Sequence, residues 1–219
     1  MATRQLLAAL VEQWHSTGGT PVAIESVGGV DAAARVQNGE EFDGVVLARE
    51  AIEKLVASGS VVAASRVDLV QSSVAVAVRA GSVPPDISTE AALRSAVMAA
   101  PTIGYSTGPS GSALLKLFEK WGIGRELQHR TVQAPPGTPV GSLVARGEVA
   151  VGFQQLSELM SLGGVAVVGV LPKAVAITTV FSAAVCSACT QREKLDALLA
   201  FMASPEVAAT KLRYGMHVV

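Results

Sequence analysis

Leu6, Leu7, Leu10, Val11 and Trp14 recur at helical spacing near the start of the chain, and Gly18-Gly19 ends the pattern. Pro21-Val-Ala-Ile-Glu-Ser26 then reads as a strand, Val27-Gly28-Gly29 as a tight turn, and Asp31 as the N-cap of a short helix closed by Gly39. The same unit repeats with a strand at 43–48 and a helix at 50–58 that stops at Gly59. Residues 70–79, mostly alternating Ser, Val and Ala, read as a long strand leaving one compact unit, with Ala80-Gly-Ser-Val-Pro-Pro-Asp86 as the crossover. Beyond it Ser88 caps a helix through Ala99, residues 102–105 form a short strand, and Gly108-Pro-Ser-Gly111 leads into a helix over 112–121. Thr138 as N-cap with Pro139 at the first helical position starts a helix that ends at Arg146-Gly147. Strands at 149–153 and 164–171 follow, 177–185 runs back the other way, and 192–201 is helical. Ser204-Pro205 caps a last helix ending at Gly215. About eight strands alternating with about eight helices predict an α/β protein with mostly parallel sheets and right-handed crossovers.

Composition narrows the class. Half of the 219 residues are hydrophobic and 16% are charged, which excludes a disordered chain and allows one large domain or two small lobes. A net charge of -1 provides no basic field for phosphates, so nucleic acid is not an expected partner. Residues 174–191 carry no charge and are long enough to span a bilayer, but Thr178, Thr179, Ser182, Ser187 and Thr190 interrupt them. The strand formers Ile177 to Phe181 make the stretch a buried strand plus loop rather than a membrane insertion. Met1-Ala-Thr-Arg enters an amphipathic pattern with no apolar leader. A chain that starts there is expected in the cytoplasm, and one trimmed of an upstream signal peptide in the periplasm.

Three predicted strand-to-helix turns place Gly and a hydroxyl residue at a helix N-terminus: Ser26-Val-Gly-Gly-Val, residues 106–112, and Pro135-Pro-Gly-Thr138. The first backbone N–H groups of a helix have no intrahelical partner and the dipole is positive there, so each turn either caps its helix or receives an anion. A phosphate loop is absent, because Gly108-Pro-Ser-Gly111 lacks the lysine and the dinucleotide spacing, and no cofactor is expected. Cys186-Ser-Ala-Cys189, between a strand and a helix, has the context of a dithiol redox motif. A zinc site needs two further ligands, and His15, His129 and His217 have no paired spacing, so no metal is expected. Glu158, trailing Gln154-Gln155 after a strand, and Tyr105 before the Ser106 turn are the acid–base candidates; Arg4 and Arg49 stand near strand ends, where either pairs with a carboxylate or is a surface charge.

In order, Ser26-Val-Gly-Gly, Asn38-Gly-Glu-Glu-Phe-Asp43, Ala77-Val-Arg-Ala-Gly81, Gly108-Pro-Ser-Gly111, Val144-Ala-Arg-Gly-Glu148, Gly152-Phe-Gln-Gln-Leu-Ser-Glu158 and Ser204-Pro-Glu206 together resemble the molybdate-binding-protein-like branch of the type 2 periplasmic binding proteins. The resemblance implies two α/β lobes, 1–78 with 179–219 and 79–178, joined by two crossing strands, with a small anion in the cleft between them and closure about a hinge. It places ligand contacts at Ala2, Thr3 and Arg4, at Ser26, Gly28 and Gly29, at Ser110 and Gly111, at Gly137 and Thr138, and at Gln155. It also implies an ABC transporter permease as partner if the protein is exported. Three departures stand out: Val27-Gly28-Gly29 replaces a serine-rich loop, Gln155 replaces a tyrosine donor, and the strand before the first ligand loop is missing or truncated at Met1. Fewer hydroxyl donors suit an organic carboxylate better than a bare oxyanion. The same branch is similar to aconitate isomerase, which implies as the alternative a proton shift in an unsaturated di- or tricarboxylate with Glu158 or Tyr105 as base.

Overall fold

The computed structural model of the protein describes residues 2–219. The chain divides into two compact units, Met1–Ser72 with Thr179–Val219 (unit 1) and Ser73–Thr178 (unit 2). It passes between them within one long strand and again at the start of another. The resemblance puts the first passage at 78/79, at the end of that long strand.

Unit 1 opens with α1 (Arg4–Ser16), whose Leu6, Leu7, Leu10 and Val11 are buried as the spacing predicts. After α2 (Gly29–Gln37), β1 (Gly44–Ala48) and α3 (Arg49–Ala57), the strand β2 (Val67–Arg79) carries the chain into unit 2. Unit 2 contains α4 (Glu90–Ala99), β3 (Ile103–Tyr105), α5 (Pro109–Lys120), α6 (Gly124–Leu127), β4 (Thr131–Gln133) and α7 (Val140–Arg146). It continues with β5 (Val151–Gln155), α8 (Leu156–Leu159) and β6 (Val165–Val170). The chain returns through β7 (Thr178–Val185), and unit 1 ends with α9 (Arg192–Ala203), a 3₁₀ turn at Pro205–Val207 and α10 (Ala208–Arg213). The charge-free stretch is thus β7 and its loop, and among the described residues no helix is long and apolar enough to cross a membrane.

The α/β class stands, but the strand directions are mixed. β3 runs parallel to β4 and β5, whereas β1–β7, β2–β5 and β2–β6 are antiparallel. β4, too short for any periodicity to mark, exists through its register with β3, Ile103↔Thr131 to Tyr105↔Gln133. The predicted strand at 21–26 does not form. The chain there meets side chains of α1 instead of a ladder: Trp14 Nε1 donates to the carbonyl of the preceding Thr20 at 2.9 Å, and Val22 N donates to His15 Nε2 at 3.0 Å. Arg35, stacked 4.9 Å from the Phe42 ring centroid, clamps Glu25 and Glu40, which leaves Ile24 exposed.

Helix starts also depart from expectation at five helices: α5 begins at Pro109 rather than Ser112, and the last helix begins at Ala208 after the 3₁₀ turn, the Ser204 hydroxyl making no cap bond among the described residues. Ser88 N is bound to the Asp86 carboxylate at 2.9 Å and the chain is still turning there, so Thr89 caps α4 by accepting from Ala92 N at 3.1 Å. Gly28, not Asp31, is the N-cap of α2, and Asp31 sits in its first turn. Pro139 has extended ψ 137° and is itself the N-cap of α7, so Thr138 lies outside the helix.

Unit 2 packs Leu93, Ile103, Leu114 and Leu127 around Phe118, which meets Phe153 edge-on at 6.2 Å and Trp121 at 6.1 Å. Unit 1 packs the buried face of α1 against α9, Met216 and β7. One charged residue is enclosed: the Lys211 side chain is fully buried, and among the described residues its Nζ has no hydrogen-bond partner. Burial disfavours the ammonium and pushes this amine below the ordinary lysine range. The unfolded chain therefore binds the proton more tightly than the folded one, and this group's penalty on stability shrinks as pH rises toward about 10. Lys211→Met is expected to stabilise the protein at neutral pH by about 1–3 kcal/mol. Paired thermal melts are expected to show the variant's advantage narrowing on raising the pH; an advantage that grows with pH contradicts the assignment.

Candidate functional site

The parallel strands β5, β3 and β4 of unit 2 send their chain onward from the same edge, because Tyr105 pairs with Gln133 and Gly104 with Gly152 in one direction. Three segments leave that edge: 106–111 after β3, 134–139 after β4 and 156–158 after β5. The carboxyl edge of parallel strands is where open α/β sheets bind ligands.

After β3 the chain turns sharply into α5, with Gly108 extended as N-cap and Pro109 at the first position. Ser110 and Gly111 are buried in the first turn, and the Ser106 and Ser110 hydroxyls face each other at 3.1 Å. A Cβ on Gly111 would overlap the Ser106 carbonyl oxygen and lie 3.1 Å from Tyr105 Cδ2. Only glycine lets the loop fold back against its helix. Fewer amides are available here than the turn alone suggests. Pro109 has no N–H, Gly111 N and Ser112 N donate to Gly108 O at 3.0 and 3.2 Å, and one of the two facing hydroxyls donates to the other, so the first turn of α5 and Ser106 leave Ser110 N and one hydroxyl hydrogen to donate outward.

After β4, Thr138 N donates to Pro135 O at 3.0 Å and Gly137 takes φ 77°, closing a tight turn before α7. The cap of α7 comes from another strand: Gln154, almost fully buried in β5, accepts from Gly141 N through Oε1 at 3.0 Å. With its oxygen so engaged, its amide NH₂ is left to donate to the Glu158 carboxylate on α8. Gln154 thus joins two of the three segments, a role that the sequence does not mark beyond placing it beside Gln155 before Glu158. Burial pushes the Glu158 carboxyl above the usual carboxylate range, and the hydrogen bond from Gln154 opposes that shift without cancelling it. Gln155 is also buried at the end of β5. Tyr105 is half-buried, and its carbonyl accepts from Ala134 N at 2.8 Å.

Unit 1 carries the other candidates. Thr3 is buried as the N-cap of α1, its carbonyl accepting from Leu7 N at 2.8 Å, with Ala2 half-buried and Arg4 exposed. Ser26 and Gly29 are exposed around the start of α2, and the Asp31 carboxylate stands against Gly28, 3.0 Å from where a Cβ would project. An acid in the first turn already answers the α2 dipole, so this end is less receptive to an anion than its Gly-Gly sequence suggests. Arg49 is ion-paired with Asp68, which also accepts from Ser182 Oγ at 2.6 Å, so it does not stand free for a ligand. Two shallow surface hollows of about 330 and 440 Å³ on unit 1 are lined by none of these candidates. Among the described residues no group of three or more His, Cys, Asp or Glu side chains is arranged to hold a metal.

The family described as bacterial extracellular solute-binding protein matches residues 1–217. The chain belongs to that family. This solute-binding protein is also 39% identical over 194 residues to aconitate isomerase from Pseudomonas sp., across 88% of this chain and 71% of that protein. Its fold is that of the periplasmic molybdate-binding protein of Azotobacter vinelandii (TM-score 0.81, 20% identity, 99% of this chain and 96% of that one). The tungstate-binding protein TupA of Desulfovibrio alaskensis shares it at TM-score 0.65 and 18% identity, over 94% and 87% of the two chains. The solute-binding protein thus has the two-lobed α/β architecture that its ordered motifs imply.

Proposed function

We propose that this solute-binding protein binds a small organic anion carrying two or three carboxylates, through the carboxyl edge of β5, β3 and β4. The observation that carries this reading is the convergence of the Ser106–Ser110 hydroxyl pair, the 134–139 turn and the Gln155 end of β5 on that edge of one unit. Donors there are few, since the first turn of α5 with Ser106 leaves one amide and one hydroxyl hydrogen to donate, and a compact tetrahedral oxyanion needs a denser shell. The relative at 39% identity takes its name from a tricarboxylate, which favours the same class. Ala2, Thr3, Arg4, Ser26, Gly28 and Gly29 of unit 1 are further proposed contacts. Membership of an extracellular family favours the periplasm over the cytoplasm, with an ABC permease receiving the ligand.

A thermal-shift panel of citrate, cis- and trans-aconitate, molybdate, sulfate and phosphate tests the reading. A carboxylate at about 100 times its dissociation constant is expected to add about 2.7 kcal/mol, or about 5–10 °C for a chain of this size. Ser106→Ala with Ser110→Ala is expected to remove most of that shift. No shift with any carboxylate, or a shift with molybdate alone, refutes it.

A second reading, a proton shift on the bound carboxylate, is favoured by one group. Glu158 is a carboxylate held above its ordinary range beside the donor edge, the property a general base needs near neutral pH. It would take an allylic proton from an unsaturated tricarboxylate and return it at the other end of the three-carbon system. The Ser106 and Ser110 hydroxyls would stabilise the negative charge carried meanwhile by the substrate.

A further inference from the structure

The stretch after β7 carries a pair of thiols that the ligand edge of unit 2 does not use. Cys186 and Cys189 are both free, one buried and the other half-buried. Cys189 N donates to Cys186 O at 3.0 Å, so the two cysteines are the first and last residues of a hydrogen-bonded turn. Such a turn brings its end Cα atoms within about 7 Å, and a disulfide spans Cα separations of about 4.4–6.8 Å. The turn is anchored from outside: Cys186 N donates to Asp43 O at 2.9 Å, Ser187 N to Ser60 O at 3.0 Å and Ser187 Oγ to Gly59 O at 2.7 Å. Both sulfurs feel the Asp43 carboxylate, and Cys186 feels Cys189, which places the two thiols around one acidic group. Cys186 belongs to the hydrophobic cluster of β1 and α3, Cys189 to that of α1 and α9, so the turn lies where the two clusters of unit 1 meet.

We propose that Cys186 and Cys189 form an intramolecular disulfide, a redox-controlled staple that closes the end of β7 and ties together the two hydrophobic clusters of unit 1. The family to which the chain belongs is extracellular, an environment in which disulfides persist. In exchange with a small disulfide such as oxidised glutathione, the more exposed Cys189 gives up its proton and attacks, forming a mixed disulfide and expelling one glutathione. Cys186 then loses its proton and attacks the Cys189 sulfur, expelling the second. Two protein thiols are oxidised, one glutathione disulfide is reduced to two thiols, and both protons leave with them. Burial raises Cys186 to about 11, with Cys189 and Asp43 adding to the rise, and burial raises Cys189 as well, so the exchange is slow at neutral pH and complete only with time or mild alkali.

The test treats the folded full chain with oxidised glutathione at mildly alkaline pH, unfolds it, alkylates with iodoacetamide and maps the tryptic peptide 174–192, which holds both cysteines. The expected result is complete loss of both alkylatable thiols and a peptide lighter by two hydrogens, without bound glutathione. In Cys186→Ser, Cys189 is expected to retain glutathione; in Cys189→Ser, Cys186 is expected to resist it while the chain is folded. A wild-type end product in which Cys189 keeps glutathione and Cys186 remains alkylatable overturns the proposal, as does a disulfide between two chains. The oxidised form is expected to melt at or above the reduced one, and a lower midpoint overturns the strain-free staple.

Discussion

Gly111→Ala is expected to cost about 3 kcal/mol or more and to abolish carboxylate binding, the largest effect of any single methyl group at the proposed site. The added carbon would overlap the Ser106 carbonyl oxygen, which is backbone and cannot swing aside as a side chain would. Either the loop after β3 lifts from α5, separating the two hydroxyls now 3.1 Å apart, or the helix start shifts and disturbs the buried Leu114 and Phe118 that follow it. Both routes remove the donor set. A chemical melt of the variant should show the lower midpoint, and the anion panel should show no ligand shift at concentrations that stabilise wild type. Retention of the wild-type shift would mean that Ser106 and Ser110 are not donors, and the site would have to be sought elsewhere.

Glu158→Gln separates the two functional readings. If the protein catalyses the proton shift, this change is expected to slow cis-aconitate isomerisation by about 10²–10⁴-fold, the usual contribution of a positioned base. Binding should persist, since glutamine fills the same place beside Gln154. Stability should move the other way. Burial raises the carboxyl above its unfolded value, so the folded chain holds the proton more tightly and this group favours folding only at low pH. Its contribution is lost as pH rises through the folded value. At neutral pH the variant is therefore expected to melt higher than wild type while reacting more slowly, and the wild-type rate should climb with pH to a plateau above the ordinary carboxylate range. Proton NMR of the isomer ratio and parallel melts measure both. An unaltered rate assigns any activity to another base, Tyr105 being the remaining candidate, and no isomerisation by wild type leaves the binding reading alone.

The Gly141–Gln154–Glu158 connection shows how much of the proposed ligand edge depended on distance along the chain. A glutamine in an apolar strand carries no signal of its own, and its partners lie 13 residues before it and four after it. Reading Thr138-Pro139 as a helix start was reasonable as local chemistry, but the cap arrives from β5. By contrast, Gly108-Pro-Ser-Gly111 was legible as the turn that leads into a helix, because proline and glycine there are local signals, although α5 begins at Pro109 inside that turn rather than at Ser112.

The amino-acid sequence alone determined the α/β class, the spans of α1, α4 and α9, the body of α5 though not its start, the strand within the charge-free stretch with its reversed direction, and the hydroxyl-bearing turn after β3. Each follows from a period or a backbone preference that neighbouring residues impose on one another. Tertiary structure alone decided that residues 20–25 are held by Trp14, His15 and Arg35 rather than by a ladder. It also decided that β4 exists and that Asp31 already meets the α2 dipole. Those outcomes depend on which partner reaches a given backbone group first, and that competition is settled by packing among segments far apart in the chain.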